Sequence, residues 1–213
     1  RLIALADQHD FVIAADECYS ELYRDEDNPP VGLLQACARL GRSDFRRCVA
    51  FHSLSKRSNL PGLRSGFAAG DSDLIQLFLR YRTYHGCTLP HFVQTASSLA
   101  WQDEEHVREN RRLYREKFQL AHELLAPVTT LQIPAGGFYL WLPTPIDDQL
   151  FTQALYRDFH IKALPGSFLG REIDGFNPGK NRIRIALVST LSETEEALKR
   201  IVDCFTQYKS QPA

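Results

Sequence analysis

The chain has 213 residues, 44% hydrophobic and 24% charged, with a formal net charge of −1. That is room for one large domain or two small ones around a sizeable core, and the near-neutral balance offers no long-range field to nucleic acid or to an anionic membrane. No apolar run approaches the roughly 20 residues of a membrane span. The five cysteines (Cys18, Cys37, Cys48, Cys87 and Cys204) are odd in number and scattered, with no Cys-x-x-Cys pair, so neither a disulfide framework nor a metal site is indicated and a reducing, cytoplasmic setting is expected.

Arg1 to Ala6 reads as the middle of an amphipathic helix with no N-cap before it, and the chain contains no Met; both predict a chain without its natural beginning. Phe11 to Ala15 is a short apolar run ending at Asp16, suited to a strand buried on both faces. Asn28-Pro29-Pro30 marks a loop, and Gly32 to Arg39 reads as a helix. Cys48 to His52 is a second buried strand, Asn59 to Gly62 a turn, and Ser65 to Ala69 a third strand. Asp71 caps a helix through Thr83, and Pro90 opens another through Trp101. Asp103 to Leu125 is long and charged, with apolar positions at helical spacing. Gly136 to Leu142 is a strand whose aromatic residues Phe138, Tyr139 and Trp141 are expected mostly in the core. Asp148 to His160 is a helix, Arg182 to Leu187 a strand, and Ser192 starts a helix running to Tyr208. The expected fold class is α/β. Residues 1–102 form an α/β part with a mostly parallel sheet, and residues 103–213, with the long helix, form a smaller α+β domain.

Asp16 stands at the carboxyl end of a strand, where open α/β sheets bind ligands. A carboxylate desolvated there wants a cationic partner such as a protonated ring nitrogen; the plainer role is to cap the next helix. Ser53-Leu54-Ser55-Lys56 follows the second strand. A lysine so placed can serve Schiff-base chemistry, and the flanking hydroxyls suit a phosphate. Arg64, eight residues on, carries the forked donors that match phosphate oxygens. Taken singly, Lys56 and Arg64 are ordinary surface residues; the joint pattern is what carries weight.

Asp16-Glu17-Cys18-Tyr19, Ser53-Leu54-Ser55-Lys56 and Arg64-Ser65-Gly66, with 40 residues from Asp16 to Lys56, resemble the cofactor signature of fold-type I aminotransferases (class I/II), enzymes dependent on pyridoxal 5'-phosphate (PLP). The resemblance implies that residues 1–102 are the C-terminal part of the large PLP-binding domain. It implies that Lys56 holds the cofactor and moves the proton, that Asp16 keeps the ring nitrogen protonated, and that Tyr19 bonds the ring's phenolic oxygen. Ser53, Ser55 and Arg64 then grip the phosphate. Arg184 matches the arginine that binds the substrate's α-carboxylate. Arg182, two residues away and on the same face, is either a second substrate contact or a solvated edge charge, and Phe138 or Phe168 walls the substrate pocket. Leu164 to Arg171, Asn177 to Arg182 and Pro61 to Ala68 resemble N-succinyldiaminopimelate aminotransferases. That narrower likeness implies amino transfer between glutamate and N-succinyl-2-amino-6-oxopimelate, on the route to lysine and diaminopimelate. The family places a further phosphate loop, an aromatic stacking partner and an asparagine before the segment matched here, so this chain alone is expected to bind PLP weakly. Small amino and keto acids are the implied partners, with a homodimer for the whole protein.

Other readings have less behind them. Ser53-x-x-Lys56 lacks the companion motifs of penicillin-binding enzymes, and His122-Glu123 lacks the second histidine of a zinc protease. Another class I/II aminotransferase or a PLP carbon–sulfur lyase shares the same motifs, as does an aminotransferase-like sensing or dimerisation module.

Overall fold

A computed structural model of the chain describes residues 1–209. The chain divides into two compact units, residues 1–111 and residues 112 onward, a division that falls inside the long helix.

The first unit runs α1 (Leu2–His9), β1 (Ile13–Asp16), α2 (Leu33–Arg39), β2 (Cys48–Ser53), α3 (Leu54–Arg57), a 3-10 turn at Pro61–Leu63, β3 (Gly66–Gly70), α4 (Ser72–Tyr84), α5 (His91–Gln102) and the start of α6 (Glu105–Leu125). Its sheet has the order β1-β2-β3. β1 and β2 are parallel, with Ile13 opposite Cys48 and Asp16 opposite Phe51, and α2 lies in the crossover that parallel neighbours need. β3 returns antiparallel beside β2, Gly66 opposite Ser53, after a connection that contains α3 and the 3-10 turn. Ile3 and Ala6 of α1 pack with Ile13, Cys37 and Cys48 to form this unit's buried core. Asp71 accepts from the backbone amides of Asp73 and Leu74, an N-cap of about 1 kcal/mol that starts α4.

Two expectations fail here for one reason. Phe11 and Val12 are exposed and lie outside β1, of which only Ile13 is buried. Among the described residues β1 is an edge strand covered on one face, so the apolar run is not sandwiched.

The second unit contains the rest of α6, then β4 (Tyr139–Pro143), α7 (Asp148–Phe159), β5 (Leu164–Pro165), a 3-10 turn at Gly166–Phe168, β6 (Arg182–Ala186) and α8 (Leu191–Lys209). Its antiparallel sheet has the order β4-β6-β5. Leu140, Leu142, Ile183 and Ile185 turn inward against buried side chains of the helices, among them Phe118, Phe151 and Phe205. The period of two then forces their neighbours outward. Tyr139 and Trp141 therefore lie on the open face, contrary to the expectation that the aromatic residues are mostly core; only Phe138, just before the strand, is buried. Asp148 is fully buried at the start of α7. Its carboxylate accepts from the amides of Ser167 at 2.9 Å and Asn181 at 3.0 Å, tying two loops to one helix end. Where those loops meet, a Cβ on Gly179 would lie 1.9 Å from the Gly166 carbonyl oxygen. No helix among the described residues is long and apolar enough to cross a membrane.

Candidate active site

In the first unit the chemistry gathers where β1 and β2 end. Both strands run the same way, so Asp16 and Ser53 leave the sheet at the same edge. Ser53 caps α3: its Oγ accepts from the Ser55 amide at 3.0 Å and donates to Ser55 Oγ at 2.8 Å. The Ser65 carbonyl accepts from the Leu54 amide at 3.1 Å and more distantly from Ser53 Oγ, which brings the 61–65 turn against the β2–α3 junction. Arg64 sits in that turn with φ 53°, a conformation uncommon for a residue with a Cβ, and its Nη1 donates to the Pro61 carbonyl at 2.8 Å.

Asp16 is exposed, not desolvated as the sequence suggested, since β1 is an edge strand and ends in open turns. Its Oδ1 accepts from the Cys18 amide at 3.1 Å. Hydrogen bonds from the Cys18 thiol and amide hold the Asp16 carboxyl below the usual range. The Cys18 thiol is pushed up to about 11, first by burial and then by Asp16, while the positive charge of Lys56 pulls it back. Cys18 thus senses Asp16 and Lys56 together. Lys56, Ser53 and Ser55 are half-buried, and Tyr19 is exposed.

Three neighbours escape a reading of the sequence. Glu17 Oε1 accepts from the Leu33 amide at 2.7 Å and its Oε2 lies 3.4 Å from His52 Nε2. Arg57 is buried directly after Lys56, and Asn110 Nδ2 donates to the Lys56 carbonyl at 3.3 Å. Each acts on a residue far away in sequence, and only the hydrophilic type of each is visible without the fold.

The second unit holds Arg182, Arg184 and Phe138. Arg184 and Arg182 share the outward face of β6, the central strand, where Arg184 stands between Trp141 and Leu164 and Arg182 pairs with Pro143. The Arg184 guanidinium lies 4.6 Å from the centre of the Tyr139 ring. Arg182 opens into a cleft of about 710 Å³ that Tyr139, Trp141, Gly136, Gly137 and Ile133 help to line. Phe138 is buried between Tyr114 and Tyr139, at ring distances of 5.9 and 4.0 Å, while Phe168 is exposed.

A family model described as aminotransferase class I and II matches residues 1–201. The chain belongs to that family. Its members depend on PLP, and the donor set at the strand ends suits such a group. It offers a carboxylate acceptor for a ring N–H, a primary amine, and hydroxyls with a guanidinium for an anion. Among solved structures, an aminotransferase from Neisseria meningitidis is 48% identical with a TM-score of 0.88, covering 96% of this chain and 52% of that one. A probable N-succinyldiaminopimelate aminotransferase from Thermus thermophilus is 30% identical with a TM-score of 0.74, covering 95% of this chain and 52% of that one. An LL-diaminopimelate aminotransferase from Maridesulfovibrio salexigens is 29% identical over 204 residues, 94% of this chain and 50% of the relative. The chain spans about half the length of the relatives it matches.

Proposed function

We propose that the protein carrying this chain is a PLP-dependent aminotransferase that moves an amino group between glutamate and a diaminopimelate-type keto acid, N-succinyl-2-amino-6-oxopimelate. One observation carries the reading. Two parallel neighbouring strands end together and deliver Asp16, Ser53, Ser55 and Lys56 to one edge of the sheet, the place where α/β sheets bind cofactors. PLP, when bound, supplies an aldehyde that takes an amine and a ring that accepts electrons.

The chain's own residues then divide the work. Lys56 offers the amine that holds the cofactor and afterwards moves a proton at the substrate's reacting carbon. Asp16, its carboxyl already held in the charged form, accepts a hydrogen bond from the ring N–H and so keeps that nitrogen protonated. Tyr19 donates its hydroxyl to the ring's phenolic oxygen. Ser53, Ser55 and Arg64 bind the phosphate, with the serine hydroxyls fixed by the cap geometry of α3. Arg184 pairs with the α-carboxylate, its planar guanidinium held over the Tyr139 ring, and Phe138 packs against Tyr139. Arg182 takes a second carboxylate, and the cleft beside it has room for the chain that carries one. The succinylated substrate has such a distant carboxylate, and the Thermus and Maridesulfovibrio relatives are both named for diaminopimelate-type substrates. In this reading residues 1–102 belong to the large cofactor domain and residues 103–213 to the small one. The whole protein works as a cytoplasmic homodimer, a location in keeping with five free cysteines.

The test is an absorbance spectrum of the full-length protein with PLP, before and after glutamate. A visible band that is lost in Lys56→Ala and converted by glutamate to the amine form of the cofactor is the expected result. A band that glutamate leaves unchanged points to a lyase or a sensor, and no band in a folded protein defeats the cofactor reading. Arg182→Ala is expected to raise KM for the succinylated substrate about tenfold or more with little change for alanine, because only the former has the far carboxylate.

A further inference from the structure

Lys56 lies on α3, a helix of four residues, whereas a helix of fewer than about 12 residues is marginal unaided. What fixes α3 comes from afar. Arg57 is 4% exposed. Its Nη1 donates to the Ala100 carbonyl at 2.7 Å and to Ser58 Oγ at 3.2 Å. Its Nη2 donates to the Glu104 carboxylate and, at 3.5 Å, to the carbonyls of Trp101 and Asp103. The guanidinium also stacks 4.9 Å from the Trp101 ring. Ala100 and Trp101 are in the last turn of α5, whose carbonyls have no partner within their own helix. One side chain therefore caps α5 and pins α3 to it. Asn110, on α6, bonds the carbonyl of Lys56 itself.

The support continues under the sheet. Trp101 meets Phe67 at 4.9 Å, Phe67 stacks on His52 at 5.0 Å, and His52 reaches Glu17. The residue after Lys56 and the residue after Asp16 are thus joined by a row of three rings. We propose that Arg57 and Asn110 are positioning residues that set where Lys56 stands relative to Asp16. The proposal rests on the reading that Lys56 holds PLP.

The experiment uses the full-length protein. PLP at limiting concentration is trapped on lysine with borohydride, the modified peptide is located by mass, and the pH midpoint of the visible band is recorded. Arg57→Lys keeps the charge but loses the fork. Asn110→Ala removes one bond and leaves a good helix former. Both variants are expected to trap Lys56 about tenfold more slowly, since small misplacements of a reacting group are costly, and to shift the band's midpoint. Melting of the cofactor-free Asn110→Ala protein is expected to stay close to the parent. Parent-like trapping and midpoint in Asn110→Ala, with Arg57→Lys merely less heat-stable, would overturn the proposal. Should Arg57→Lys fail to fold, Asn110→Ala decides between the same two outcomes. Trapping at another lysine, or unchanged trapping in Lys56→Ala, would defeat the reading of Lys56 and this proposal with it, whereas parent-like behaviour of the Asn110→Ala protein with Lys56 still trapped defeats this proposal alone.

Discussion

Cys18 reports on the two groups the proposed chemistry needs. Its thiol is raised to about 11 by burial and by the Asp16 carboxylate, so at pH 8 almost none is thiolate, the form that reacts with alkylating agents. Alkylation of Cys18 is expected to be about a hundredfold slower than that of an ordinary exposed thiol, whose pKa is near 8.5. Asp16→Asn removes one of the two main causes and should speed it. Peptide-resolved alkylation with iodoacetamide measures both, and a Cys18 that reacts like a free thiol would contradict the geometry. Asp148 makes the complementary case in the second unit. Burial pushes its carboxyl up, but the hydrogen bonds from Ser167 and Asn181 win and hold it below the usual carboxylate range. A carboxylate depressed in the fold adds stability above its unfolded pKa and loses it as the pH falls through the folded one. The second unit should therefore weaken below about pH 4, and Asp148→Asn should flatten that acid limb while costing roughly 1–3 kcal/mol at neutral pH. Urea melts of the two proteins at pH 7 and pH 3 decide it; parallel pH profiles would exclude Asp148 as the cause.

At the scale of elements, the second unit explains what the segments resembling N-succinyldiaminopimelate aminotransferases do. Leu164 to Arg171 and Asn177 to Arg182 pack on each other. Gly166 meets Gly179 backbone to backbone, and Asn177 Nδ2 donates to the carbonyls of Ser167 and Gly170 at 3.0 and 3.4 Å. Asn181, held by Asp148, directly precedes Arg182. These contacts fix the backbone from which Arg182 projects. Gly179→Ala puts a Cβ where a carbonyl oxygen stands, so a backbone shift is unavoidable and a loss of about 1–3 kcal/mol is expected. A calorimetric Tm equal to the parent's would show that the loops give way freely. The same elements show what the sequence makes legible. The strand-end motif, the Asp71 cap and the β6 arginine pair are local patterns, and each lies where the sequence puts it. The exposure of Asp16 and the outward aromatics of β4 are not legible, because they depend on which face of a strand another element covers. Arg57 is invisible for a like reason, since all its partners but Ser58 lie more than 40 residues away.

The whole chain gives little cover to the six residues proposed to hold the cofactor. None of Asp16, Tyr19, Ser53, Ser55, Lys56 and Arg64 is buried, whereas binding sites normally enclose most of a small ligand. The outer edge of β1 has no neighbouring strand among the described residues, an arrangement proteins usually cover, and Phe11, Val12, Phe51 and Phe67 are exposed around this sheet. The relatives that match this chain are about twice its length. These facts meet in one expectation: the 213-residue chain by itself holds PLP about a hundredfold or more weaker than the full-length protein does, a difference of some 2.7 kcal/mol. Equilibrium dialysis of PLP against each measures it. Equal affinities would mean that these six residues suffice without enclosure and that the rest of the protein serves the substrate alone. The expected gap would mean that cover, and not the list of contacting side chains, supplies much of the binding energy. Lys56→Ala in the full-length protein separates the two contributions, because it removes the covalent hold and leaves the cover in place.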